Sequence, residues 1–170
     1  MNYITWKITD QILHIIFPVP EGITPETYHA TFVSNQRNLH YHYDNPVLGE
    51  EVLRASIRYE GANQFVGFNI PISVITPKET YLFLLLTLHP KLKYIISYLD
   101  GDIDVIEHEL RHARFYIDKE YHDRVQRSWD HLKHSDPKEY QRIIQELVRK
   151  QYDPRVFMDE FQAYYPEKIK

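Results

Sequence analysis

The residues best placed to do chemistry are two histidines with a glutamate between them, in His108-Glu109-Leu110-Arg111-His112. On a helix, residues four apart lie on one face, one turn above the other. Two neutral imidazoles so placed can grip one zinc ion, and a single further ligand leaves the ion an open position for water. Zinc lowers the pKa of such a water to about 7. Glu109 lies too close along the helix to be that third ligand. It can instead take the proton of an attacking water and pass it to a leaving group. A purely structural zinc site has no use for such a base and usually closes with four protein ligands. In a chain with 10 histidines, a chance match to so short a pattern has a probability of roughly a few per cent. The surroundings of the motif therefore decide its weight.

The segment from Ile103 onward supplies the helix. Ile103, Ile106, Leu110, Ala113 and Ile117 recur every three or four residues and predict a core-facing seam. Glu107, Arg111, Arg114 and Asp118 fall on a second stripe with two favourable four-apart ion pairs, and read as solvated. Val105, His108, His112 and Phe115 form a third stripe roughly opposite the seam, with Glu109 and Tyr116 on its flank. Such a helix turns one face to a core and another to a cleft. The plain alternative is a pair of surface histidines on an ordinary amphipathic helix.

Several residues compete to complete the site. Glu160 shares a helix face with Phe157, Phe161 and Tyr164, with small Ala163 nearby. A carboxylate inside an aromatic stripe is costly unless paired, hydrogen-bonded or bound to metal. Asp159 beside it is an alternative. Asp118 lies six residues past His112. With no Gly or Pro from Ile103 to Leu132, the helix is expected to run on and carry Asp118 away with Arg114. His122 would then lie about 15 Å further along the axis. His131 lies beyond it, and His134 is expected in a loop that could fold back. Tyr164, Tyr165 and His134 are candidates to donate to a developing oxyanion. His40 and His42 would share one face of a strand; His14, His29 and His89 have no partner to name.

The elements that position these groups change texture near residue 76. Before it, Tyr3 to Thr9, Gln11 to Phe17, Ala30 to Val33, Leu39 to Tyr43, Leu53 to Tyr59 and Phe65 to Val74 read as strands punctuated by Pro and Gly. After it, Thr76-Pro77 opens a helix through about Leu88, and Pro90 stops it. Lys91 to Leu99 fits a helix or a strand. Asp102 is a good N-cap for the helix at Ile103. Asp136-Pro137 opens a helix with Tyr140, Ile143, Ile144, Leu147 and Val148 at helical spacing. Asp153-Pro154 opens a last short helix that Pro166 ends. This order predicts one α+β domain over residues 1–170, with a β-rich part (1–75) and a helical part (76–170) that carries the metal site.

Bulk composition excludes other classes. The chain of 170 residues suits one domain. A net charge of −4 and no basic run argue against a nucleic-acid partner. There is no cysteine, which excludes disulfides and thiolate metal sites. No apolar stretch spans a bilayer, and no signal-peptide pattern follows Met1. A cytoplasmic or virion-associated protein without a membrane partner is expected.

His108-Glu109-Leu110-Arg111-His112, followed much later by Glu160-Phe161-Gln162-Ala163-Tyr164, resembles the gluzincin branch of zinc metallopeptidases. Those proteins place HExxH on one helix and a Glu, often in an ExxA context, on a later one. The resemblance covers residues 103–165. It implies a zincin-like fold, with a small twisted sheet over the active-site helix and substrate along an edge strand. Leu53 to Tyr59 or Phe65 to Val74 would be that strand. It also implies His108, His112 and Glu160 as Zn2+ ligands, Glu109 as catalytic base, and a peptide or protein as substrate. Arg111 stands where a small residue is usual and Tyr164 where an Asp is common, which leaves the subfamily open. The second reading is a non-catalytic zincin-like structural or binding protein, such as a virion or complex component.

Overall fold

The computed structural model describes residues 5–19, 67–74 and 87–170. Four strands among them form one sheet in the order β1-β2-β4-β3: β1 Thr5–Thr9, β2 Ile12–Phe17, β3 Gly67–Pro71 and β4 Tyr94–Leu99. β1 and β2 are an antiparallel hairpin. It turns at Asp10, whose φ of 50° a short polar side chain tolerates. β2 runs parallel to β4, Ile12 opposite Tyr94. β3 runs antiparallel to β4, Asn69 opposite Ile96. Every residue of β4 is buried, as a strand with neighbours on both sides and both faces covered requires.

The sheet therefore reaches past residue 76. The ambiguous Lys91 to Leu99 is a strand over Tyr94–Leu99, and the expected Phe65 to Val74 shortens to β3 followed by a 3-10 turn, Ile72–Val74. Of the helix expected over residues 76–88, only Thr87 and Leu88 are described, and they are helical. The strands expected at 30–33, 39–43 and 53–59 lie outside the described residues.

Four helices follow: α1 Ile103–Ile117, α2 Lys119–Ser135, α3 Pro137–Arg149 and α4 Phe157–Tyr164. The described fold is thus α+β. Asp102, Asp118 and Asp136 cap the first three, each accepting from the backbone N–H three residues on. A 3-10 turn, Pro154–Val156, leads into α4. No described helix is long and apolar enough to cross a membrane.

Three expectations are corrected here. The helix does not run on past Asp118. That residue is extended (φ −94°, ψ 99°), and its carboxylate accepts from Tyr121 N at 3.0 Å, so a side-chain cap does the work expected of a Gly or Pro. His134 consequently lies in the last turn of α2 rather than in a loop. Ile103, expected in the seam, is 67% exposed at the first turn of α1.

The rest of the seam holds. Ile106, Leu110, Ala113 and Ile117 pack on Tyr94, Ile96 and Tyr98, joined by Val105, which was expected on the histidine side. A second core, formed by Tyr121, Val125, Ile143, Leu147, Phe157 and Phe161, fills the space among α2, α3 and α4. α4 is caught between that core and α1. Phe157 and Phe161 face the former, while Asp159 and Glu160 meet the histidines of α1.

If the cap at Asp118 is what ends α1, Asp118→Ala should lower the urea midpoint while Asp118→Asn, which still caps, keeps it. Equal losses in the two variants would remove the cap as the cause of the break.

Candidate metal centre

α1 sets His108 and His112 one turn apart, with their Nε2 atoms 3.1 Å from each other. α4 brings Glu160 against both: its Oε1 lies 3.7 Å from His112 Nε2 and its Oε2 3.9 Å from His108 Nε2. The donor atoms of the three residues all lie within 4.8 Å of one another, so the group could hold a metal ion. Glu160 Oε2 is buried and makes no hydrogen bond. An orphaned carboxylate oxygen facing two imidazole nitrogens is what a cation between them would satisfy. His112 and Glu160 are buried, while the His108 side chain keeps 20% exposure and gives the cluster an opening to solvent.

The next ring of contacts orients these donors. His112 Nδ1 donates to Asp159 Oδ1 at 2.7 Å. In the neutral ring that bond keeps the proton on Nδ1 and leaves the Nε2 lone pair on the side of Glu160. Gln162 Nε2 donates to the same Asp159 oxygen at 3.0 Å, and Tyr121 OH donates to Gln162 Oε1 at 3.0 Å. The break at Asp118 matters here, because it places Tyr121 on the first turn of α2. On the other histidine, the Ala163 carbonyl accepts from the His108 ring and from Arg111 Nη1. The Tyr164 ring packs 4.6 Å from that of His108. Arg111, expected on the solvated stripe, keeps its pair with Glu107 there and is also partly built into the support of the site.

Glu109 is buried on the sheet side of α1 and accepts from Asn69 Nδ2 at 2.9 Å. Asn69 Oδ1 in turn accepts from Tyr94 OH. β3 approaches closely enough that a Cβ on Gly67 would stand 2.5 Å from Val105 Cγ1 and 2.7 Å from Glu109 Oε1. Only glycine leaves room for the carboxylate there. Sequence reasoning missed Asn69 and Gly67. Their signal was the strand alternation that puts both on the same face of β3.

Burial drives the charges of the metal-free cluster apart. It pushes Glu109 up to about 7, against the lowering pull of His112 and Asn69. It pushes Glu160 up to about 8, again opposed by His112. Burial alone would lower His112, but Asp159 and Glu160 outweigh it and raise that imidazole to about 10. His108 is driven down to about 2 by burial, with His112, Arg111 and Lys150 adding to it. Asp159 and Glu160 thus draw a proton toward His112, while burial pushes Glu160 itself toward its neutral form.

The other candidates lie elsewhere. Asp118 caps α2, and Asp159 holds His112 rather than completing the donor set. His122 packs its ring on Phe115, and His131 and His134 are exposed on α2. Of the proposed oxyanion donors only Tyr164 lies beside the cluster; Tyr165 donates to Glu146. His14 is buried between Thr9 and Tyr98, and His89 is exposed. His29, His40 and His42 fall outside the described residues. A comparison with protein-family models, curated proteins and solved structures gave no match.

Zinc binding should release protons, because His112 and Glu160 must lose theirs to ligate. Both pKa values are raised, so the bound protons compete most strongly below about 8 and the apparent zinc affinity should climb from pH 6 to pH 8. Chelator competition at several pH values measures this, and a flat profile would contradict it. Asp159→Ala should weaken zinc about 10–100-fold by freeing the His112 ring. Unchanged affinity would deny Asp159 its orienting role.

Proposed function

We propose that this protein is a zinc-dependent peptidase of the gluzincin kind, built on a zincin-like arrangement. One observation carries the reading: a glutamate from a later helix meets both histidines of one α1 turn, while Glu109 of the same turn is buried and close enough for its charge to act on His112. His108, His112 and Glu160 would hold the zinc. The bound metal would supply a water acidified to a pKa of about 7 and polarise the substrate carbonyl.

The chain's own residues supply the rest. Burial sets Glu109 to about 7, so it changes protonation state near neutrality, which suits a group that takes a proton from water and delivers it to the leaving amine. Asn69 fixes one of its oxygens, and Gly67 keeps β3 from displacing it. β3 is an outer strand of the described sheet and lies against α1, which suits pairing with an extended peptide. Three converging donors among the described residues, rather than four, leave a position for water. That favours a catalyst over the alternative of a structural or binding component.

The wild-type protein should carry about one zinc per chain and cleave peptides in a library digest. Glu109→Gln should keep the zinc and lower kcat about 10²–10⁴-fold. Full activity in that variant would refute the assigned base. A zinc-loaded wild type that cleaves nothing would favour the binding component.

A further inference from the structure

The corner between α3 and α4 places a cation beside this site. α3 closes with two bonds, Gln151 N–H to the Val148 carbonyl at 2.9 Å and Tyr152 N–H to the Leu147 carbonyl at 3.2 Å. Gln151 takes a φ of 67° to allow them, a left-handed conformation that side-chain-bearing residues adopt only at a cost. The corner is thereby fixed. Tyr152 packs on the core among α2, α3 and α4, and its hydroxyl meets that of Tyr164 at 2.9 Å. The Tyr164 ring lies between two groups: the His108 ring at 4.6 Å, and Lys150 Nζ at 4.5 Å from its centroid.

Besides His112, Arg111 and Lys150 are the cations whose charge is felt at His108. Arg111 is committed, with Nη2 on Glu107 at 3.0 Å and Nη1 on the Ala163 carbonyl. Lys150 is exposed and makes no ion pair among the described residues; its contact is the face of Tyr164. Among the acids of the cluster, Asp159 and Glu160 face the histidines of α1 and Glu109 accepts from Asn69. An ammonium seated on the ring that backs a metal ligand is positioned to meet an anion on whatever enters the site.

We infer that Lys150, seated over Tyr164, forms a subsite for a substrate carboxylate close to the bond that is cleaved. The inference rests on the peptidase reading. The favoured substrates are peptides bearing Asp or Glu at that position, or ending there in a free carboxylate. The ammonium pairs with the carboxylate, and the Tyr164 ring shields one side of the pair.

The test uses N-acetylated hexapeptides with Glu, Gln or Lys placed in turn at each position, as free acids and as amides. With zinc-loaded wild type, Glu at one position near the cleaved bond should raise kcat/KM about fivefold over Gln, the scale of a partly exposed ion pair. An advantage that follows the free acid instead assigns the subsite to the chain terminus. Lys150→Met should erase the advantage, and Lys150→Glu should transfer it to Lys-bearing peptides. Equal rates for Glu and Gln in the wild type, or a Glu preference that survives Lys150→Met, would overturn the subsite. The same peptides binding to zinc-loaded Glu109→Gln separate the two readings. If the wild type cleaves nothing, hydrolysis fails, and the Glu-over-Gln difference in binding still decides the subsite, its absence overturning it.

Discussion

Glu160 sits at 2% exposure with one carboxylate oxygen unbonded, facing two imidazoles. Burying a carboxylate is expensive unless something charged or hydrogen-bonding meets it. In this fold the metal-free cluster meets that cost by drawing a proton toward His112, which Asp159 holds, and by pushing Glu160 toward its neutral form. A divalent cation between the same atoms would meet the demand better, because it also satisfies the oxygen that His112 leaves free. Much of the surrounding architecture serves to hold this arrangement together.

α1 is the element that makes it possible. Its seam on Tyr94, Ile96 and Tyr98 fixes the helix against the sheet, and the opposite side is left to meet α4. α4 has only eight residues and could not hold Glu160 in place by itself. It is held by Phe157 and Phe161 in the second core, and by the chain of hydrogen bonds from Tyr121 through Gln162 and Asp159 to His112. The two cores and the polar cluster are thus one mechanical unit. Glu109 is held from the sheet side, by Asn69 on β3, so this carboxylate and the three candidate donors are positioned by different elements.

What could be read from the residues follows the range of the forces involved. Helical periodicity is local, so α1, its cap at Asp102 and the facing of His108 and His112 were legible. Glu160 was legible because a carboxylate among Phe157, Phe161 and Tyr164 is a local anomaly. The end of α1 was not, since no Gly or Pro marks it; an Asp competes for the backbone, and the turn pays off through the Tyr121 contact with Gln162, 41 residues away. β4 was ambiguous because a run of six residues, all apolar but Ser97, fits a buried strand or a helix equally well. Strand alternation puts Asn69 and Gly67 on one face of β3, but nothing local shows that this face meets Glu109, 40 residues beyond Asn69. The whole stretch from 20 to 66 stands outside the described residues, and the strands expected there with it.

The central claim is that His108, His112 and Glu160 hold one metal and leave it an open position. Anomalous scattering at the zinc edge from crystals of the zinc-loaded protein tests this directly. The account predicts one peak between α1 and α4, with the two Nε2 atoms at about 2.0–2.1 Å, a Glu160 oxygen at about 2.0–2.2 Å and a water completing the set. A peak elsewhere, or a fourth protein ligand closing the site, would contradict it.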